Sequence, residues 1–328
     1  MSVGEITRTP SRTWRQWSGI LLAFALTAVA LYFVLRGVET TNLWQRAANQ
    51  NVFALVLAAA LLVAQILLGG ERWRTILEML MPDRPMPVVT IQAAFYTGAF
   101  FNCFPLGNVG GDIARVILGR QLRMRLGPVI TSVLVDHGLA LIGLFMLAAI
   151  TLPSVSHPLA MSAWLGTIAI LIMVAVGFQF LWVFDAALGR WRRHRLVHWM
   201  LQLASQLQSL RQPRIFVALF WALMSVCCAA LSTYVIASTL GITIGPIAMA
   251  AVMSLVTLVV ILPISIAGWG VREVSFVALL GLLGVEREAA LLLSVEVGLL
   301  TMLVSLPGAV LWLLARHLRD DAAPEEQR

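Results

Sequence analysis

Seven apolar runs constrain this chain more than anything else in it: residues 17–35, 52–68, 129–152, 159–184, 215–240, 247–266 and 289–315. Each approaches or exceeds the roughly 20 residues that carry a helix across a bilayer. Composition agrees, with 60% hydrophobic and 12% charged residues in 328, where soluble domains carry about 25% charged. The expected fold is all-α and polytopic. The first run is longer than a usual signal-peptide core, and Leu35-Arg36-Gly37 does not resemble a small-residue cleavage site, so it reads as a retained span.

The formal charge is +7, and all 23 basic residues are arginines. No nucleic-acid recognition motif accompanies them. Arginine crowding into cytoplasmic loops accounts for the excess, and no nucleic-acid partner is expected. Cys103, Cys227 and Cys228 lie in apolar sequence and read as small buried hydrophobes without a disulfide framework.

Arg8, Arg12 and Arg15 precede the first run, which places residues 1–16 in the cytoplasm as a basic arm and returns Arg72, Arg74 and Arg84 to the same side. A full crossing by 88–104 would then put Arg115, Arg120, Arg123, Arg125 and, after two more spans, Arg190, Arg192, Arg193, Arg195, Arg211 and Arg214 outside. A stretch from 88 to about 122 that dips to mid-membrane, breaks and returns keeps all ten inside.

The break is "FPLGNVGGDIAR", residues 104–115, and "LPISIAGWGVRE", residues 262–273, shares its grammar. Each has an apolar residue before proline, a glycine five residues after it (Gly110, Gly268), and an acid and an arginine soon after. With a second hairpin dipping from the outside, residues 17–152 and 159–315 each read span, span, hairpin, span, the second inverted. That plan, about six spans plus two re-entrant helical hairpins in one membrane domain (17–318), is the inverted repeat of many transporters. Both termini then lie in the cytoplasm.

Non-helical backbone at membrane depth is tolerated where it is buried in protein or lines a wet cavity. Gly107, Gly110, Gly111, Gly268 and Gly270 therefore mark an interior site. Helices restarting near Asp112 and Val271 would point free N–H groups there. Arg115 and Arg272 can hold a phosphate bidentately, with Asp112 and Glu273 as their partners in an empty pocket. Structural ion pairs that close two hairpins are the other role open to these four. Asp136 with His137, and Glu296, lie deep in spans. An acid there can carry a coupling proton or bond a neighbouring helix.

Residues 189–214 place Leu196, Trp199, Met200, Leu203, Leu207 and Leu210 at helical spacing between arginines, a cytoplasmic amphipathic helix against anionic lipid. Residues 319–328 read as a disordered tail. His194 and His198 lack the glutamate of a zinc protease motif, and the glycines make no nucleotide fingerprint, so no metal, cofactor or catalytic residue is expected.

On "FPLGNVGGDIARVILGR", the acid at Asp136 and "LPISIAGWGVREVSFVALLGLLGV", the chain from Trp17 to Ala315 resembles the flippase-like transmembrane region of lysylphosphatidylglycerol synthases, in a free-standing form without the aminoacyl-transferring domain. The resemblance implies an inner-membrane protein that translocates an anionic phospholipid or lipid-linked intermediate, and no lipid aminoacylation. Two other classes stay open. One is a membrane enzyme acting on a lipid phosphate or polyprenyl carrier, with Asp112 or Asp136 as base. The other is an accessory subunit of a lipid-modifying enzyme. That enzyme and a second copy of this chain are the protein partners to consider, beside membrane lipid itself.

Overall fold

The computed structural model describes residues 50–103, 108–155, 160–174, 206, 208, 210, 212–261 and 268–320. Among them the chain is helical without strands: α1 Val52–Leu80, α2 Val88–Asn102, α3 Asn108–Gln121, α4 Leu126–Thr151, α5 Ala160–Val174, α6 Arg214–Thr239, α7 Pro246–Val260, α8 Val271–Gly281, α9 Arg287–Ser305 and α10 Pro307–Asp320. Val52–Leu80, Leu126–Ser154, Arg214–Thr239 and Arg287–Leu314 are long and apolar enough to cross a membrane. They coincide with four of the six expected spans, and the protein is a multi-pass membrane protein. The first expected span, most of the amphipathic helix at 189–214, Gly107 and the tail beyond Asp320 lie outside the described residues.

Two helix pairs are too short to cross. α2 and α7 have 15 residues each, about 22 Å at 1.5 Å per residue; α3 has 14 and α8 has 11. α2 packs on α3 and α7 on α8. Arg84, ahead of α2, donates to the carbonyls of Leu122 and Arg123 at the end of α3, the latter at 2.7 Å. The first pair thus leaves and returns at one level of the molecule.

Close backbone approach makes the first pair possible. A Cβ on Gly111 would strike the Gly98 carbonyl and the Asn102 side chain, and Asn102 Oδ1 accepts from the Gly111 N–H at 3.1 Å. In the second pair the break before α8 needs positive φ, +81° at Gly268 and +86° at Gly270, a region that side chains avoid.

α1 and α6 form the central contact, with Ala58, Ser225 and Ser232 buried in it. Small residues let helix axes approach in lipid, where apolar burial gives helices no preference for each other. Ser225 and Ser232 donate across it to the carbonyls of Gln65 (3.1 Å) and Ala58 (2.9 Å).

The helix contacts are closed under one exchange of partners. Among the described residues, swapping α1 with α6, α2 with α7, α3 with α8, α4 with α9, and the 3-10 turn Leu152–Ser154 with α10 leaves α1–α6 unchanged and turns each other substantial helix contact into another one. The two ends share a local sequence too: Thr151-Leu152-Pro153 stops α4 and Ser305-Leu306-Pro307 stops α9. Proline has no N–H to continue the ladder. The last span, Arg287–Leu314, is interrupted at the single residue Leu306 between α9 and α10, and Tyr96 of α2 donates its hydroxyl to the Val304 carbonyl beside that turn at 2.7 Å.

Candidate functional site

Lipid offers a charged side chain nothing, so the buried charges of this bundle must meet one another. They do so in two clusters. Asp136 of α4, 2% exposed, accepts from Arg72 Nε at 2.6 Å through Oδ1 and from Arg115 Nη1 at 2.8 Å through Oδ2. Arg115 Nη2 continues to Asp112 Oδ1 at 2.6 Å, and His137 Nε2 stands 3.7 Å from the other Asp112 oxygen while its Nδ1 lies 3.0 Å from the Val133 carbonyl. The Arg115 guanidinium also stacks on Phe95 (5.1 Å) and Trp73 (5.5 Å), a favourable contact in a desolvated place.

The second cluster occupies the exchanged position, on α8 and α9. Glu273 is fully buried, and its Oε1 accepts from Arg272 Nη2 at 2.8 Å and from Ser294 at 3.2 Å. Its Oε2 takes the Gly270 N–H at 2.5 Å. The Arg272 guanidinium covers Trp269 at 4.5 Å and lies across Gly298, where a Cβ would collide with it.

Both clusters open on one cavity of about 450 Å³, within the range of small-ligand sites. Arg72, Arg115 and Arg272 line it, with Asp136 and His137; Cys103 and Ile261 reach it from the ends of the two short-helix pairs. Asp112 and Glu273 pair with the same arginines without lining the cavity. Among the described residues, three arginines and one acid therefore line it.

Several expectations change in detail. α3 begins at Asn108 rather than near Asp112, so Arg115 sits two turns into it and Gly110 and Gly111 are buried helical positions instead of loop. The helix continues N-terminally because Gly98 and Gly111 let it lie against α2. α8 does start at Val271, but Glu273 takes the Gly270 N–H, which is therefore not free to face a guest. Gly268 and Gly270 are buried in the break. Glu296 is away from the cavity; Gln50 Nε2 donates to both its oxygens at 2.8 Å.

Arg72, a cytoplasmic loop residue by the charge pattern of the sequence, is a buried member of the first cluster instead. α1 runs twelve residues past its apolar stretch, carrying Arg72 and Trp73 under α2 and α4. Trp73 is fully buried, with its indole N–H on Ser132 at 3.0 Å. The signal lies in Gly69-Gly70 ahead of them: Phe95 and Gln92 of α2 occupy the space where their side chains would be. A glycine pair of that kind marks helix packing rather than a helix end.

Residues 20–308 match the family of the lysylphosphatidylglycerol synthase TM region. The chain belongs to this family. As a lysylphosphatidylglycerol synthase TM-region protein it is a membrane protein of a lipid-related group, and the match takes in both buried clusters and the cavity between them. A comparison with curated proteins returns no match. Among the described residues no group of His, Cys, Asp or Glu has the arrangement of a metal site.

Proposed function

We propose that this protein moves an anionic phospholipid or lipid-linked intermediate between membrane leaflets, holding the phosphate between Arg115 and Arg272 while the acyl chains stay in lipid. The observation that carries this reading is the meeting of those two arginines, from separate short-helix pairs and separate halves of the chain, on one cavity. Guanidinium forks match phosphate oxygens two at a time.

Alternating access fits the same frame. The exchange symmetry of the helix contacts and the paired Leu-Pro stops support an inverted repeat of residues 17–152 and 159–315. The lengths of α2, α3, α7 and α8 support two re-entrant hairpins. Rocking of one repeat against the other would open the cavity to either leaflet. In this reading both termini lie on the cytoplasmic side of the inner membrane. Asp136 keeps two guanidiniums in place, and His137 stands beside Asp112.

The test is the double variant Arg115→Gln/Arg272→Gln in proteoliposomes. Each charge-assisted hydrogen bond lost is worth about 1.5–3 kcal/mol, so headgroup translocation should fall by at least about tenfold in protein that still inserts and elutes as a folded species. Unchanged translocation contradicts the reading. Conversion of a lipid phosphate in detergent, with no second compartment, would instead mark an enzyme.

A further inference from the structure

Arg72 has capacity left over. It is 6% exposed, and among the described residues its hydrogen bonding consists of Nε to Asp136, leaving both terminal nitrogens unpartnered on the cavity it lines. A guanidinium carries five N–H donors and no acceptor. Both terminal nitrogens are open to the cavity rather than sealed in protein, since among the described residues the fully buried side-chain polar atom without a partner is Gln92 Oε1, so they are placed to donate to an acceptor-rich guest.

The acids tell the complementary story. Asp136, the one carboxylate lining the cavity among the described residues, has both oxygens committed to arginines. Glu273 is enclosed with both oxygens accepting, Asp112 is held by Arg115, and Glu296 is away from the cavity on Gln50. The two chain breaks, Phe104 to Gly107 and Leu262 to Ala267, contain no acid. The aromatic rings facing the cavity, Phe95 and Trp269, already carry guanidiniums. Among the described residues, an ammonium group entering here would find neither a free carboxylate nor an uncovered ring, two of the partners that hold such a cation.

We propose that the cavity selects lipids whose headgroup carries a phosphate anion and no cationic amine, with Arg72 supplying the donors that set this selectivity. This deepens the translocation reading and rests on it. Selectivity arises from two sides: the free Arg72 donors favour the phosphate, and the commitment of Asp136, Asp112 and Glu273 to arginines leaves the amine without a counter-ion. The aminoacylated lipid in the family's description is a poor guest for this chain, and the unmodified anionic lipid a good one.

The experiment places purified full-length protein in liposomes with trace phosphatidylglycerol, phosphatidylethanolamine or lysylphosphatidylglycerol, and reads headgroup exposure over time. Phosphatidylglycerol should move at least about tenfold faster than either amine-bearing lipid. Arg72→Gln should slow it at least about tenfold and narrow the preference, while Arg72→Lys keeps the preference at a lower rate. If either amine-bearing lipid moves as fast as phosphatidylglycerol, or Arg72→Gln leaves the preference intact, the selectivity proposal falls and translocation stands. If no lipid moves, translocation falls, and selectivity is decided by binding of six-carbon-chain versions of the three lipids to the wild-type protein, read as thermal shift. At least about tenfold tighter binding of the phosphatidylglycerol form upholds it, and equal or reversed binding overturns it.

Discussion

Arg72 and Asp136 meet at 2.6 Å, Nε to Oδ1, with 7% and 3% of their side chains exposed. Asp136 also holds Arg115, so one carboxylate restrains two buried cations. Removing one member of a buried pair leaves an uncompensated charge and costs about 3–5 kcal/mol. Asp136→Ala should therefore destabilise the protein by about that much in detergent unfolding, and Asp136→Asn, which keeps an acceptor, by less. A change within about 1 kcal/mol for the alanine variant would mean that the cluster is solvated rather than buried.

Gly298 leaves room for Arg272. A Cβ at that position collides with both terminal nitrogens of the guanidinium, which must then leave Glu273 and Ser294. Alanine is the better helix former by about 1 kcal/mol, and the displaced group is the far end of a flexible side chain. That gain is outweighed by a cost of about 3–5 kcal/mol for leaving Glu273 a buried unpaired charge, so Gly298→Ala should lower the unfolding temperature and cut translocation at least about tenfold. An unchanged unfolding temperature with unchanged transport would show that Arg272 makes room without leaving Glu273.

Tyr96 ties the first short-helix pair to the last span. Its hydroxyl satisfies the Val304 carbonyl in the turn before Pro307, where helix-end carbonyls lack intrahelical partners. Tyr96→Phe keeps the ring and leaves that carbonyl unpaired, at about 1–3 kcal/mol. The measurement is again unfolding in detergent, with the variant expected to melt earlier than the wild type; an unchanged midpoint would mean that another group takes the carbonyl.

The spans were legible because bilayer thickness sets a length that apolar runs must meet, and α4 and α6 begin and end within a few residues of theirs, while the run at 289–315 is shared by α9 and α10. Arg115 and Arg272 were legible because proline, glycines and charge together make no sense in lipid. Arg72 was not: four residues beyond an apolar run, it looks like a loop arginine until Asp136, 64 residues on, is seen beside it. Ser294 was hidden likewise, since a serine in a span usually bonds its own helix, whereas here it reaches Glu273 on α8. The repeat of Leu-Pro at 152–153 and 306–307 was present in the sequence. Its two prolines follow the ends of α4 and α9, which the sequence alone does not show.

The proposed translocation requires that both hairpins be re-entrant, from opposite faces, and sided cysteine labelling tests this most directly. With Cys103, Cys227 and Cys228 replaced, single cysteines at the exposed positions Asp83, Arg125, Thr243 and Glu286 bracket the two short-helix pairs. The expected result is labelling of Asp83→Cys and Arg125→Cys from the cytoplasmic face alone, and of Thr243→Cys and Glu286→Cys from the opposite face alone. Labelling of positions 83 and 125 from opposite faces would make α2 and α3 a crossing and contradict the account.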